Sequence, residues 1–235
     1  MLRFLSFIFF LALANVTIGQ SVLPADSLAL IKLYQQTNGV SWARQWELSL
    51  EVAQWEGVTV SEQRVVAIEL GNNNLHGELP EELAQLTQLQ RLVLGNNFLM
   101  GSFPEMLVQC TALNYLDLSG NNLGGQIPFG ITHLSQLRFL NFSNNQFWGE
   151  IPSYLGELIS LENLFLSNNQ FNGELPPALG QLYQLTILAL NDNQLEGNIP
   201  DTYRNLRKLI SFSLDGNLIE AAEIERWNNQ VLRQP

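Results

Sequence analysis

Seven asparagines, Asn73, Asn97, Asn121, Asn145, Asn169, Asn193 and Asn217, follow one another at a constant step of 24 residues. Glycines keep the same step from Gly77 to Gly197, and prolines from Pro80 to Pro200. Leucine-type residues fill the remaining fixed positions, as Leu161, Leu164, Leu166, Phe171, Leu175, Leu179 and Leu182 do in one unit. Residues 65–208 make six units without insertion, and a seventh starts at Leu209 and loses the pattern after Leu218. A fixed period of this size means a stacked array, because no single unit can bury its own leucines.

Each unit reads the same way. Leu164 and Leu166 stand two apart, the period of a strand with one buried face. Stacking one short strand per unit at about 4.8 Å builds a parallel sheet along the array. Asn169 ends the strand, and its amide has the donors and acceptor to serve the backbone of the turn as a ladder inside the array. Gly173 suits a close or left-handed turn, and Pro176 suits a return segment that makes no ladder. In the unit Leu140-Asn141-Phe142-Ser143-Asn144-Asn145-Gln146-Phe147-Trp148-Gly149-Glu150-Ile151-Pro152, the residues expected to be free to vary are Asn141, Ser143, Asn144, Gln146, Trp148 and Glu150.

The pattern resembles the leucine-rich repeat, and the 24-residue form carrying G-x-I-P resembles its plant-type subclass, which also occurs in bacterial secreted proteins. The resemblance implies an α/β solenoid. This is a right-handed superhelix with a parallel β-sheet on its concave face and helical caps at both ends. It implies recognition of a protein or peptide, and it implies no catalysis and no cofactor.

Both ends of such an array expose core and strand edges, so each needs a cap. Asp26 to Gln36 reads as a helix with Pro24 and Asp26 at its start, an apolar face of Leu30, Ile31 and Tyr34, and Asn38-Gly39 as its stop. Trp42, Trp46 and Trp55 follow. The stretch Gln54-Trp55-Glu56-Gly57-Val58 resembles the plant-type N-terminal cap, where two cysteines bracket the motif. Here Ala53 and Val60 occupy the bracketing positions, a departure that leans towards a bacterial or algal relative and leaves tryptophan burial to do the work of the bridge. At the other end, Ile224, Trp227 and Val231 recur at helical spacing and predict a short capping helix. The expected division is a signal peptide over 1–19, an N-terminal cap over 20–64, repeats over 65–219 and a capping helix over 220–235.

The first residues have the layout of an export signal: Arg3, then an apolar run from Phe4 to Val16, then small and polar residues to Gly19 and Gln20. The run is shorter than the roughly 20 residues a membrane span needs. A mature protein outside the cell follows, in the periplasm or at the cell surface if the host is bacterial, with no stable membrane insertion. Net charge is −11 and only 14% of residues are charged, with no basic stripe, which argues against nucleic acid. The single cysteine, Cys110, rules out an intrachain disulfide. It stands where other units carry leucine and reads as a small buried hydrophobe.

Catalytic signatures are missing. His76 and His133 sit in no metal-binding motif, and there is no G-x-S-x-G, P-loop or dinucleotide fingerprint. Glu78, Glu150 and Glu174 share one repeat position and read as a solvated acidic edge. Asn141-Phe142-Ser143 is an N-glycosylation sequon, relevant only in a eukaryotic host.

The outward strand positions carry no folding demand and are the expected place for function. One column reads Ala67, Arg91, Tyr115, Phe139, Asn163, Ile187, Ser211, and the other Glu69, Val93, Asp117, Asn141, Phe165, Ala189, Ser213. Tyr115, Phe139 and Phe165 form a diagonal of exposed aromatics, with Arg91, Val93 and Asp117 to one side and Asn141 and Asn163 between. Exposed rings beside an arginine are the material of binding hot spots. Trp148 replaces Met100, Gly124 and Asn172 of other units and extends the patch around the rim. These nine residues make the expected site for an extracellular protein or peptide partner. Two rival functions are inhibition of a secreted polysaccharide-degrading enzyme and binding to ice or another crystal surface, for which Gln146, Gln170 and Gln194 would supply a regular row.

Overall fold

The computed structural model describes residues 22–231 and is a solenoid of stacked coils. The expected signal peptide lies outside the described residues. Along one side of the coils runs an eight-stranded sheet: β1 (Val58–Ser61), β2 (Arg64–Glu69), β4 (Arg91–Val93), β6 (Tyr115–Asp117), β8 (Phe139–Asn141), β10 (Asn163–Phe165), β12 (Ile187–Ala189) and β14 (Ser211–Ser213). Apart from the antiparallel β1–β2 pair, neighbours are parallel and pair residues 24 apart, Tyr115 with Phe139 and Asn163 with Ile187. The concave face of the array is lined by this sheet.

A second sheet was not foreseen. β3 (His76–Gly77), β5 (Phe98–Ser102), β7 (Asn122–Gly125), β9 (Gln146–Glu150), β11 (Gln170–Glu174) and β13 (Gln194–Glu196) form a six-stranded parallel ladder. Sequence had assigned no sheet to this stretch, yet it carries the same signal as the first: Gln170-Phe171-Asn172 alternates polar and apolar residues, and Phe171 is buried. Each coil then closes through a five-residue 3-10 helix, such as Ser153–Glu157, whose preceding proline holds an extended conformation.

The leucine positions fill the interior. Leu161, Leu164, Leu166, Phe171, Leu179 and Leu182 are fully buried. Beside them runs the asparagine ladder. Asn97 Nδ2 donates to the carbonyls of Leu70 at 2.9 Å and Leu94 at 2.8 Å, and its Oδ1 accepts from the amides of Asn73 at 2.9 Å and Leu75 at 3.0 Å. Asn121, Asn145, Asn169, Asn193 and Asn217 make the same two donations and each accept one amide of the preceding coil, so each side chain ties its own coil to the one before.

One position expected to vary freely does not. Asn144 has φ of 57°, and the equivalent residues Asn72, Asn96, Gly120, Asn168, Asp192 and Gly216 are also left-handed. The column contains Asn, Asp and Gly alone because these residues tolerate that region. Asn144 is exposed and constrained through its backbone, and its neighbour Ser143 is buried, so two of the six positions read as variable are constrained by the fold.

Helix α1 (Pro24–Gln36) covers the first coil, and Asn38 ends the segment in the left-handed conformation. Trp42, Trp46 and Trp55 are buried in series, with ring centroids 4.9 Å apart for the first pair and 4.8 Å for the second. Each indole finds a carbonyl: Trp42 Nε1 donates to Thr37, Trp46 Nε1 to Glu56 and Trp55 Nε1 to Glu47. Ala53 is exposed at one bracketing position, and Val60 packs against the core at the other. Helix α2 (Ala221–Val231) closes the far end, where buried Trp227 meets Phe212 edge-on at 4.6 Å.

Candidate functional site

On the concave sheet, strand register sets every side chain of the expected site. Arg91, Tyr115, Phe139 and Asn163 stand directly across from one another on β4, β6, β8 and β10. Val93, Asp117, Asn141 and Phe165 form the parallel column two residues along. The intervening leucines, Leu92, Leu116, Leu140 and Leu164, point inward and are fully buried. The pleat therefore forces all eight residues outward.

The aromatic diagonal is a stack. Tyr115 and Phe139 lie face to face at 4.0 Å with 1° between their planes, and Phe139 meets Phe165 at 5.4 Å and 44°. The Arg91 guanidinium covers the Tyr115 ring at 3.6 Å, a cation–π contact. These rings are half-buried rather than exposed, because each covers its neighbour.

Arg91 is fixed from its other side by Glu69, whose Oε1 accepts from Nε at 2.6 Å. Burial alone would lower its pKa, but the hydrogen bond and charge of Glu69 outweigh that and raise it above the ordinary value. Asp117 Oδ1 accepts from the Ser119 amide at 3.0 Å and the Ser119 hydroxyl at 2.6 Å. Asn141 accepts the Ser143 amide at 3.0 Å in the same way. Asn163 Oδ1 accepts from the Thr186 hydroxyl at 3.1 Å. The polar rim is thus held in place by short local bonds.

Trp148 does not join this group. It lies in β9 of the second sheet, paired with Gln170, where sequence had placed it on the rim of the first. It is 49% exposed. The chain resumes an extended conformation after Asn145, which carries the residue out of the first sheet altogether. Gln146, Gln170 and Gln194 also belong to this second sheet, on a line with Asn74 and Asn122 that Phe98 interrupts.

Cys110 is buried, its Sγ donates to the Leu83 carbonyl at 3.3 Å, and burial pushes its thiol up to about 12. Glu150 and Glu174 lie across Gly173 and Gly197 of the following coils beside an open cleft. Among the described residues no three His, Cys, Asp or Glu side chains gather into a metal-binding group, and no helix is long and apolar enough to cross a membrane.

Models of the leucine-rich repeat match residues 63–123, 87–147, 160–182 and 184–206, together more than half of the chain. The chain belongs to the leucine-rich-repeat family. Among solved structures, the Arabidopsis receptor kinase HAESA in complex with the peptide hormone IDA and the co-receptor SERK1 is similar at a TM-score of 0.76 and 32% identity, over 83% of this chain and 34% of that one. A pollen receptor kinase 3 gives 0.71 and 29% identity, over 80% of this chain and 95% of that one. A plant ice-binding protein gives 0.66 at 24% identity, over 85% of this chain and 73% of that one, a likeness of fold alone. This leucine-rich-repeat chain spans about a third of the length of HAESA. No curated protein matches it.

Proposed function

We propose that the chain is a non-catalytic binding module that works outside the cell and holds a protein or peptide on its concave sheet. The observation that carries this reading is the ordered stack of Arg91, Tyr115, Phe139 and Phe165 at the middle of that sheet. A solenoid needs its inward leucines to fold, whereas its outward positions are free of that demand. Three rings and a guanidinium gathered there, flanked by fixed polar groups, have the composition of an interface centre. The likeness to HAESA, solved with a peptide hormone and a co-receptor, supports a peptide or protein as partner.

The test is retention of a partner from extracellular fluid of the host by the purified chain and by a Tyr115→Ala, Phe139→Ala, Phe165→Ala variant with an unchanged circular dichroism spectrum. Retention by the first and loss by the second is expected. Equal retention by both would move the binding surface away from the stack.

A further inference from the structure

A run of cation and rings crosses four successive coils of the concave sheet, two face contacts followed by one tilted contact. Arg91 covers Tyr115, Tyr115 covers Phe139 and Phe139 abuts Phe165. At the N-terminal end the guanidinium closes the series. At the other end nothing of the kind follows. Among the described residues Phe139 is the one ring neighbour of Phe165, and the in-register residue on β12 is Ala189, with Ser213 beyond it on β14. A methyl group and a hydroxymethyl group stand where a fifth plane would continue the stack.

Both an aromatic ring and a guanidinium can stack on phenylalanine. Charge decides between them. Past the C-terminal ends of β10, β12 and β14, on the Phe165 side, the turns carry Asp192 and Asp215 and no lysine or arginine, whereas Glu162, Arg207 and Lys208 precede the strands at their other ends. Glu162 is paired with Arg138. Asp192 takes a hydrogen bond from Asn191, and Asp215 is exposed and has no side-chain hydrogen bond or ion pair among the described residues. A ring would gain only the stack. A guanidinium would gain the stack, a counter-charge and acceptors for its fork of donors.

We infer that the partner delivers an arginine, laid flat against Phe165 above Ala189, with Asp215 as its principal counter-charge. This rests on the concave-sheet reading and names the chemistry of the partner. The protein already builds the same pairing within itself, Arg91 on Tyr115, at the opposite end of the stack.

The test is selection of a displayed random-peptide library on the intact chain. The selected peptides are then titrated against wild type, Ala189→Phe, Asp215→Asn and the triple alanine variant, each with an unchanged thermal midpoint. Ala189→Phe places the chain's own ring in the gap. Selected peptides are expected to share an arginine whose replacement by lysine weakens binding about tenfold or more. They are expected to lose affinity for Ala189→Phe and Asp215→Asn. Peptides without a shared arginine, or no enrichment above background, overturn the inference. Peptides that need the three rings yet bind Ala189→Phe as well as wild type overturn it while leaving the concave sheet as the site. Peptides that bind all the variants equally overturn both.

Discussion

The fully buried carboxylate of Asp26, in the first turn of α1, accepts the Nε of Arg64 at 3.1 Å from β2. Its Oδ2 also accepts the Val65 amide at 2.8 Å, and the guanidinium reaches on to the Gln85 carbonyl and the Thr87 hydroxyl, each at 3.1 Å. One ion pair thus ties the capping helix, the first long strand and the first return turn together. Asp26→Ala leaves the arginine without its counter-charge and the amide without its acceptor. A loss of about 3–5 kcal/mol is expected, measured by urea unfolding. Asp26→Leu with Arg64→Met, which removes both charges, is expected to lose less.

The asparagine ladder predicts a sharp contrast between neighbours in sequence. Asn121→Ala removes the acceptor of the Leu99 amide and the donor to the Leu94 and Leu118 carbonyls. Each buried group left without a partner costs about 1–3 kcal/mol. Asn122→Ala, on the exposed side of β7, is expected to change stability by less than about 0.5 kcal/mol. Thermal unfolding of the two variants checks this directly.

The left-handed column gives a conformational test. Asn168 has φ of 55°, so Asn168→Val meets the clash of a β-branched side chain with its own backbone. A loss of about 1–2 kcal/mol is expected from that strain. Asn168→Gly is expected to fold with a stability close to wild type. A valine variant as stable as wild type would contradict the assigned backbone.

Alkaline pH acts on the core. Cys110 rises from an ordinary 9.0 to about 12 because burial disfavours its thiolate, and burial raises Tyr203 as well. Both groups are neutral in the folded chain across the physiological range. A group whose folded pKa is raised stabilises fully below the unfolded value and loses that contribution as pH climbs towards the folded value. Stability is therefore expected to fall from about pH 9 to about pH 12 with a slope of up to about 1.4 kcal/mol per unit for each group titrating. Cys110→Ala is expected to shallow that slope. The folded chain is also expected to resist thiol alkylation at pH 8, and the urea-unfolded chain to react.

Much of this fold was legible because a period of 24 residues turns one local reading into seven. The inward leucines, the asparagine ladder and the two outward columns follow from strand alternation alone. The second sheet does not, because the alternation of Gln170, Phe171 and Asn172 is only three residues long and runs straight into the turn-forming Gly173 and Pro176. The constraint on Asn144 is invisible in one unit, since a single asparagine says little about φ and only the whole column shows Asn, Asp and Gly alone. The Asp26–Arg64 pair joins residues 38 apart in different elements, and no periodicity announces such a contact. Strand alternation alone puts Arg91, Tyr115, Phe139 and Phe165 on the outward face of the concave sheet. Their mutual stacking depends on rotamers, which a sequence column does not specify.

At the N-terminal end of the ladder, Asn73 Oδ1 accepts the amide of Arg44 at 2.6 Å and its Nδ2 donates to the Arg44 carbonyl at 3.3 Å, while the Ala43 amide donates to the Asn73 carbonyl at 3.1 Å. A loop of the cap thereby mimics the edge of a missing coil. From there to Asn217 every interior coil offers its successor the same donors and acceptors that it takes from its predecessor. Nothing in that exchange counts coils. Length is a free parameter of the architecture, so gene segments encoding whole units can be gained or lost without redrawing any interior bond, and the outward faces carried by those units can be shuffled as interchangeable cassettes.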